Sequence, residues 1–394
     1  MTQNKELKVA IVHDFLVQYG GAERVLEVLC EMYPEAPIYT LLYDKEKMRG
    51  KFQEQEIHTS FLQKFPRFLR QRYKYLLPLM PTAPEVWDLR DFDLVISSSG
   101  VWSKGIVTRL NTIHISYLHS PMRFVWDANS EYLRGQKKGI FTNFFSRILL
   151  NYIRVWDKVA ADRPDYIVAN SRYTQERIRK YYGRESAVIY PPVYIPQPVI
   201  YNPQPKKSER YFLVVSRLSP YKNVDKIVEA FNKLELPLVV IGEGSQDKYL
   251  RKIAGKNVQI LGWQSDAKIA DYYSKAEGFV FASVDDFGIT LVEAMSYGLP
   301  IAAIQKGGAI EVMIEGKTGE FFDEATPEVI ADGVRRVIEN FGNYDREFIV
   351  NRAKEFSKER FVRELGEYIS SVITKSKIQI SNQTQNPNYK NFEI

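Results

Sequence analysis

A chain of 394 residues is too long for one ordinary hydrophobic core, so about two domains of under 200 residues each are expected. The composition, 45% hydrophobic and 26% charged, is typical of a soluble globular protein, and no apolar run approaches the roughly 20 residues that would span a bilayer. The single cysteine, Cys30, excludes an internal disulfide, and the polar first residues lack the apolar segment of a signal peptide, so a cytoplasmic protein is expected.

The net charge of +6 is unevenly placed, because all of the excess positive charge lies in residues 1–190. This favours a partner that presents phosphate groups to that half: a lipid headgroup, a nucleic acid or a phosphorylated substrate. Residues 57–84 and 132–156 contain no Asp or Glu and interleave basic with aromatic side chains. Such segments suit an anionic membrane surface, and they also suit core-facing helices with a solvated basic face.

The first half predicts short buried strands that alternate with amphipathic helices. The strands are rich in Val, Ile and Tyr with little polar alternation, as expected for strands buried on both faces. They fall at 7–13, 92–99, 111–119, 165–171 and 186–193. Helical patterns occupy 21–33 and 172–182. This order predicts a parallel sheet covered by helices, in a domain formed by residues 1–190.

Six prolines lie between Pro191 and Glu209. Proline fixes φ and lacks a backbone donor, so residues 191–209 are expected to form an extended linker between two domains.

The alternation restarts after the linker. Strands are expected at 211–218, 236–242, 257–262, 278–283 and 300–304, with helices at 223–234 and 266–276. The predicted fold class is therefore α/β, with two Rossmann-like doubly wound parallel-sheet domains, 1–190 and 210–355, facing across a cleft. A charged helix at about 344–375 follows, and the Asn- and Gln-rich tail, 376–394, is expected to be disordered.

The stretch "SVDDFGITLVEAMSYGLP", residues 283–300, places acidic residues at a strand end. Asp285 lies in the loop after a buried strand, and the first turn of the next helix offers free N–H groups and a positive dipole that suit a diphosphate. The backbone expected to approach this ligand is that of Phe287, Gly288, Ile289 and Thr290. Glu293, about one turn further on, has the geometry to accept two hydroxyls of a ribose, or it is a surface residue on an exposed helix face.

An acid, then Phe-Gly, then a second acid eight residues after the first, closing in Gly-Leu-Pro, resembles the signature of retaining glycosyltransferase family 4. The resemblance implies the GT-B fold and a nucleotide-sugar donor. It also implies that Glu293 binds the ribose, and that Asp285 binds the sugar together with the backbone of Phe287 and Gly288. The family usually has Glu at both acidic positions. Because the side chain of Asp285 is shorter, it changes which sugar hydroxyls the carboxylate reaches.

The resemblance extends through the second half. "VSRLSPYKNVD" (215–225) resembles the segment whose Arg and Lys, here Arg217 and Lys222, bind the donor diphosphate. In "IGEGSQDKYL", Gly242 and the glycine two residues later are expected to leave room near the nucleotide. Trp263 either stacks on the base or simply packs. "RAKEFSKERF" (352–361) resembles the last helix of the family, so a helix at about 355–375 is expected to pack back on the first domain.

In the first half, "YGGAERV" puts Gly20 and Gly21 at a strand–helix junction. Two glycines there permit unusual φ angles and close backbone approach, or simply a tight turn. In the family this loop faces the donor phosphates and the acceptor. His119 corresponds to a family histidine that contacts the donor sugar, and His13 is a weaker candidate for the same cleft. The remaining histidines are interpreted as structural: His58 and His114.

No Cys/His cluster with metal-ligand spacing and no nucleophile elbow is present in the sequence. "DFD", residues 91–93, imitates an Asp-x-Asp metal motif but begins a predicted strand, and members of the family commonly need no metal. No metal cofactor is therefore expected. The family resemblance implies front-face transfer, in which the leaving diphosphate helps to deprotonate the acceptor.

Three segments resemble bacterial O-antigen and polysaccharide mannosyltransferases: 19–25, 97–105 and 116–127. This implies transfer of mannose from GDP-mannose to a glycan, such as a polyprenyl-diphosphate-linked oligosaccharide, in cell-surface polysaccharide or lipopolysaccharide biosynthesis at the inner face of the cytoplasmic membrane. The residues implied to be catalytic are Asp285, His119, Arg217 and Lys222. The alternatives are a UDP-sugar donor, a GT-B nucleotide-sugar epimerase, and a nucleic-acid-binding protein, against which the phosphate-site residues argue.

Overall fold

The computed structural model describes residues 7–127, 140–196 and 210–384. The chain divides into two compact units. The first comprises Met1–Asn170, Thr174–Ile189 and Glu359–Ile394, and the second comprises Ser171–Tyr173 and Tyr190–Lys358.

A parallel sheet forms the centre of the first unit. Its described strands are β1 (Val9–Leu16), β2 (Ile38–Tyr43), β3 (Ile57–Thr59), β4 (Leu94–Ser99), β5 (Ile113–Leu118), β6 (Tyr166–Ala169) and β7 (Ala187–Val188). They lie in the order β3-β2-β1-β4-β5-β6-β7, and every pair is parallel. β1 therefore separates β2 from β4, and the chain changes direction along the sheet at that point.

The second unit has the same plan. Its described strands are β8 (Phe212–Val215), β9 (Leu238–Ile241), β10 (Val258–Gly262), β11 (Gly278–Phe281), β12 (Ile301–Ile304) and β13 (Gly319–Phe322). They lie in the order β10-β9-β8-β11-β12-β13, again all parallel. The doubly wound parallel-sheet architecture predicted from the sequence is confirmed in both units.

Helices connect the strands. In the first part of the chain they are α1 (Gly21–Met32), α2 (Lys45–Met48), α3 (Arg67–Gln71), α4 (Ile140–Ala160) and α5 (Arg172–Tyr182). Beyond β8 they are α6 (Val224–Leu234), α7 (Asp247–Ile253), α8 (Asp266–Lys275), α9 (Ile289–Ser296), α10 (Ala309–Val312), α11 (Pro327–Glu339), α12 (Arg346–Lys354) and α13 (Lys358–Thr384). α13 buries an apolar stripe at helical spacing in the core of the first unit: Phe361, Leu365, Ile369 and Val372.

The structure corrects the end of the chain. The helix expected at about 344–375 is interrupted between α12 and α13, and α13 continues to Thr384. Residues 376–384, expected in the disordered tail, are therefore helical, and 385–394 lie outside the described residues.

Three strands were not predicted: β2, β3 and β13. The strand expected at 186–193 is only the two-residue β7. Within the proline-rich segment, Val193 forms a parallel bridge with Ser357, and its N–H donates to the carbonyl of Phe356 at 3.0 Å. Residues 197–209 of the predicted linker lie outside the described part of the chain.

Each sheet has one switch point, between β1 and β4 in the first unit and between β8 and β11 in the second. In doubly wound sheets, ligands bind beyond the carboxyl ends of the strands at such points. A ligand site is therefore expected at the loops that follow these four strands.

Candidate active site

Two of the predicted site residues meet at the switch point of the second unit. The Nζ of Lys222, in the loop after β8, lies 2.5 Å from Oδ2 of Asp285, in the loop after β11. The two side chains are 15% and 19% exposed, so the pair is neither fully buried nor freely solvated. The lysine Nζ also lies 5.3 Å from the ring centroid of Tyr221. The two loops thus present a paired ammonium and carboxylate at the position where this fold binds ligands.

Asn223, which was not singled out in the sequence, ties these loops together. Its backbone is in the left-handed region, with φ 54° and ψ 28°, which asparagine tolerates better than most residues. Its side-chain amide donates to the carbonyl of Ala282 at 2.9 Å, directly after β11. The position of Lys222 is therefore fixed by the residue that follows it.

A second pair of glycines, also missed, supports the Asp285 loop. Gly307 and Gly308 follow β12, and a Cβ at either position would overlap the backbone of Asp285 or Phe287. The N–H of Gly308 donates to the carbonyl of Asp285 at 2.9 Å. A Gly-Gly pair a few residues after a strand was the available signal, since the same pattern drew attention to Gly20.

Phe287 and Gly288 have packing roles that the sequence did not predict. The Phe287 ring is 3% exposed and lies 5.6 Å from the ring of Tyr190 and 5.5 Å from that of Phe356, between centroids. Gly288 has φ 94°, and a Cβ there would lie 2.8 Å from Cδ1 of Leu291. A left-handed turn into α9 requires this glycine, whether or not a ligand approaches it.

The start of α9 is accessible. Ile289 and Thr290 are half-buried, whereas the following residues of the helix, 291–296, are all buried. The first turn of α9 therefore keeps its N–H groups near the surface, as an anion site requires.

Glu293 is buried in α9, at 8% exposure. Its Oε2 accepts a hydrogen bond from the hydroxyl of Tyr273 at 3.1 Å. The alternative of a surface glutamate on an exposed helix face is therefore wrong. A buried carboxylate needs hydrogen-bond donors, and one of them comes from the protein.

Arg217 is exposed, and the described residues provide no hydrogen-bond or ion-pair partner for its guanidinium.

A Cβ at Gly242 would overlap the carbonyl of Ser216, and one at Gly244 would overlap that of Leu218. The space left by these two glycines is thus filled by the loop that carries Arg217, which corrects the expectation that they leave room for the nucleotide. Trp263, after β10, is 51% exposed.

In the first unit, His119 follows β5 and its Nε2 lies 2.8 Å from Oγ of Ser98. Burial lowers the pKa of His119 to about 3, so the ring is neutral at physiological pH. The ring also packs edge-on against Tyr117, with centroids 5.4 Å apart.

The other histidines have protein partners. His13, on β1, is buried and lies 3.1 Å from Oγ of Ser98 through Nδ1. His114 is buried, and its Nε2 lies 2.8 Å from Oγ of Ser97. His58 stacks on Tyr39 with centroids 4.7 Å apart.

Gly20 and Gly21 do not need unusual backbone angles. Gly20, at the N-cap of α1, has φ −161°, which is extended backbone that any residue adopts, and Gly21 is the first residue of the helix. The unusual φ that two glycines permit is therefore not used at Gly20, and close backbone approach to a ligand stays a prediction.

A residue missed in this region is Asp14, at the end of β1. Its carboxylate accepts four backbone N–H groups, from Gly100, Val101, Trp102 and Ser103, at 2.6–2.7 Å. It fixes the loop after β4, on the other side of the switch point. No local sequence signal could show this, because donors and acceptor lie 86–89 residues apart.

The "DFD" residues precede β4, at its amino end, whereas the switch-point loops follow the carboxyl ends of the strands. Asp93 accepts a hydrogen bond from the N–H of Lys8 at 3.1 Å. Among the described residues, no three or more His, Cys, Asp or Glu side chains are grouped as a metal site would need. Within the same ranges, no helix combines the length and apolarity needed to cross a bilayer.

Two family models match the chain. The model of Glycosyltransferase Family 4 matches residues 19–195, and that of Glycosyl transferases group 1 matches residues 200–356. The two matches together take in most of both units.

Among known proteins, an uncharacterized glycosyltransferase from Methanocaldococcus jannaschii is 23% identical over 363 residues, which cover 89% of this chain and 93% of that protein. A GDP-mannose-dependent alpha-(1-6)-phosphatidylinositol monomannoside mannosyltransferase from Mycobacterium tuberculosis is 26% identical over 205 residues, covering 45% of this chain and 53% of that protein. The crystal structure of Anabaena HepE in complex with UDP and glucose matches with a TM-score of 0.66 at 18% identity, covering 93% of this chain and all of that one.

These matches agree with the two parallel sheets and with the residues gathered at their switch points. The chain is a glycosyltransferase of the family 4 type, with the GT-B fold.

Proposed function

We propose that the protein is a retaining hexosyltransferase that moves mannose from GDP-mannose to a lipid-linked glycan in cell-surface polysaccharide biosynthesis. The observation that carries the proposal is the pairing of Lys222 with Asp285 at the switch point of the second unit. Exposed Arg217 and buried Glu293 belong to the same set of loops and helix. The mannosyltransferase relative from Mycobacterium tuberculosis supports the choice of donor.

In this proposal the charges of the second unit act on the leaving group. Arg217 and Lys222 neutralise the nucleoside diphosphate as its bond to the sugar C1 breaks. The acceptor hydroxyl forms the new bond to C1 on the same face, and its proton passes to an oxygen of the leaving diphosphate. Glu293 accepts hydrogen bonds from the ribose, and Asp285 orients both Lys222 and the sugar. The two side-chain cations supply the charge that a metal ion would otherwise provide, so no metal is proposed.

A UDP-sugar donor is the second candidate. The solved structure of Anabaena HepE, in complex with UDP and glucose, is the specific observation that favours it. At 18% identity it bears on the fold alone, so GDP-mannose is retained as the first choice.

The test is product analysis with each donor in separate reactions. The purified protein is incubated, with EDTA, with GDP-mannose or UDP-glucose and a bacterial polyprenyl-linked oligosaccharide extract, and the anomeric configuration of the product is determined by NMR. Transfer of mannose with an unchanged anomeric configuration supports the proposal. Transfer from UDP-glucose alone would show that the donor is a UDP-sugar. Inversion of the anomeric configuration would exclude the retaining mechanism, and turnover of the donor without an acceptor would indicate the epimerase.

An anionic membrane surface is proposed as the site of the reaction, and two exposed faces of the first unit support it. On α4, four apolar side chains spaced along one side of the helix are 52–59% exposed: Ile148, Tyr152, Val155 and Val159. In the segment that includes α3, Phe68 and Tyr75 are 64% and 71% exposed. Exposed cations lie near these two in the sequence: Lys64, Arg67, Arg72 and Lys74. Residues 132–139 of the second basic segment lie outside the described residues.

These faces belong to elements that share one small core. Leu62 and Leu76 from the first segment and Leu150 and Ile153 from α4 lie in the same apolar cluster. The buried side of each segment is therefore a core-facing surface, as the alternative interpretation required. The opposite side remains apolar and basic rather than simply solvated, which suits an anionic bilayer.

Vesicle co-sedimentation tests this part. Vesicles containing phosphatidylglycerol should bind the wild type at low salt and release it at high salt, and phosphatidylcholine vesicles should not bind. Phe68→Ser with Tyr75→Ser should weaken binding. Leu110→Ser removes a fully exposed apolar side chain just before β5, at the amino ends of the strands, and should have no effect. Equal binding by all three proteins would exclude this surface.

A further inference from the structure

Four polar side chains of the first unit form one continuous hydrogen-bonded chain. Oε1 of Glu23 lies 3.4 Å from Nε2 of His13, and Nδ1 of His13 lies 3.1 Å from Oγ of Ser98. The same Oγ lies 2.8 Å from Nε2 of His119. Glu23, His13 and Ser98 are 6%, 2% and 0% exposed, so three of the four members are buried.

The fold of the switch point sets these positions. His13 on β1 and Ser98 on β4 are direct register partners in adjacent parallel strands. His119 directly follows β5, and its N–H donates to the carbonyl of Ser99 at 2.8 Å. Glu23 lies in the first turn of α1. One serine hydroxyl, carrying one hydrogen, therefore stands between two imidazole rings.

Donor and acceptor counting gives the chain a direction. A carboxylate only accepts hydrogen bonds, so the hydrogen on His13 is at Nε2, facing Glu23. In the neutral form of His13, whose ring carries a single hydrogen, Nδ1 then accepts from the hydroxyl of Ser98. The only hydrogen of Ser98 is used, so Ser98 accepts from Nε2–H of His119. Nδ1 of His119 is left as an acceptor.

The surroundings of His119 leave Nδ1 available as an acceptor. No hydrogen-bond partner for Nδ1 is found among the described residues, although the ring is held on its other side. The backbone carbonyl of His119 accepts from the amide of Asn170 at 2.9 Å. The lowered pKa of His119 keeps the ring neutral, which a tautomer with one acceptor nitrogen requires.

We infer that Glu23, His13 and Ser98 are positioning residues that set the tautomer of His119, so that its Nδ1 accepts a hydrogen bond from a sugar hydroxyl of the substrate. The inference rests on the proposed function, since it takes the substrate to be a sugar. A hydroxyl can donate to Nδ1, whereas a phosphate oxygen cannot. The polarity of the chain thus assigns His119 to sugar recognition rather than to the diphosphate. The hydroxyl belongs either to the donor sugar or to the acceptor glycan.

The tautomer can be measured without any substrate. Two-bond ¹H–¹⁵N correlation spectra of protein labelled at its four histidines distinguish Nδ1–H from Nε2–H rings. The wild type at pH 8 should show His13 and His119 as Nε2–H tautomers. Glu23→Gln replaces the acceptor-only member with a group that also donates, so His119 should gain a measurable Nδ1–H population. An unchanged His119 tautomer in folded Glu23→Gln would overturn the inference.

The chain offers a matched control and a second variant. Ser97, the neighbouring residue on β4, makes the same kind of contact with the buried His114 at 2.8 Å. Ser97→Ala should shift the signals of His114 and leave His119 unchanged, whereas Ser98→Ala should shift His13 and His119. Ser98→Thr keeps the hydroxyl and should preserve the wild-type tautomers. If Glu23→Gln does not fold, the comparison of Ser98→Ala with Ser98→Thr carries the test, and equal spectra for the two would overturn the inference.

Kinetics separate this inference from the proposed function. Glu23→Gln should lower kcat/KM about tenfold, as expected for one hydrogen bond. A deoxy donor or a deoxy acceptor that lacks the contacted hydroxyl should give Glu23→Gln and wild type the same kcat/KM. The analogue that removes the difference in kcat/KM shows whether the hydroxyl belongs to the donor or to the acceptor. A changed tautomer with unchanged kcat/KM would overturn sugar recognition by His119. Absence of transfer by wild-type protein from any nucleotide sugar would instead reject the proposed function.

Discussion

The ammonium of Lys222 lies 2.5 Å from the carboxylate of Asp285, across the switch point of the second sheet. The two residues are 63 positions apart in the chain, and the loops after β8 and β11 bring them together. Asp285 thus orients a cation. In the proposed function the same carboxylate also accepts hydrogen bonds from the sugar.

Removing Lys222 should impair transfer strongly. Lys222→Ala should lower kcat/KM by about 10² to 10³, because a fixed charge on the leaving diphosphate is lost, and Lys222→Arg should restore part of the activity. Steady-state kinetics on both variants measure the effect. Lys226→Ala is the control, since that lysine pairs with Glu229 at 3.2 Å on α6. A Lys222→Ala enzyme within threefold of wild type would contradict this role.

The glycine pair after β12 should be intolerant of a side chain. Gly308→Ala forces a Cβ into the backbone of Phe287, so we expect a loss of about 1–3 kcal/mol in the free energy of unfolding and weaker nucleotide binding. Urea unfolding and ligand titration measure the two effects. At Gly342 a Cβ would have no neighbour within 4 Å, so Gly342→Ala should be nearly neutral. Equal behaviour of the two variants would show that the loop shifts freely.

Asp14 should be a principal anchor of the first unit. Asp14→Asn keeps the size of the side chain but replaces one accepting oxygen with a donor, which leaves two of the four N–H groups of residues 100–103 without an acceptor. We expect a loss of about 3 kcal/mol in the free energy of unfolding. Asp162→Asn is the control, since Asp162 is 54% exposed and its pair with Lys158 is a surface ion pair. A loss no larger than that of the control would refute the anchoring role.

Stability should fall as the solution becomes acidic because of buried histidines. Burial lowers the pKa of His114 to about 3, against about 6.5 in an unfolded chain. Between these values the unfolded state binds a proton that the folded state does not. The free energy of unfolding should therefore fall by up to about 1.4 kcal/mol per pH unit below pH 6.5, and the lowered pKa of His119 acts in the same direction.

Urea unfolding at pH 7.5 and pH 5.5 measures this dependence. His114→Gln should make the decline between the two pH values shallower, because the buried imidazole is removed. An identical pH dependence in wild type and His114→Gln would show that His114 does not carry the effect.

The sequence predicted the parts of the fold that local patterns encode. Long apolar strands such as β1 and β4 were found, since strands buried on both faces leave continuous runs of Val, Ile and Leu. β3 has three residues, too few to show a period. The Asp285–Glu293 motif was recognised because its residues lie within one loop and one helix.

What escaped prediction depends on contacts between distant segments. Asp14 accepts from N–H groups more than 80 positions away, and Ser98 joins two histidines from different strands. Gly242 was noticed, but its neighbour, the backbone of Ser216, follows a different strand. Composition and spacing register neither strand order nor side-chain contacts, so these relationships emerge only once the sheets are assembled.

The most direct test of the proposed function is donor binding to the folded protein. Binding is measured as a shift in the thermal unfolding midpoint with GDP-mannose, UDP-glucose, GDP, UDP, ADP or CMP. A ligand at 100 times its Kd should add about 2.7 kcal/mol to the free energy of unfolding. GDP-mannose should raise the midpoint of wild type and of Lys252→Ala, an exposed cation at the end of α7, and should not raise it in Arg217→Ala or Glu293→Ala. Failure of every nucleotide and nucleotide sugar to stabilise the wild type, or equal stabilisation of all four proteins, would contradict it.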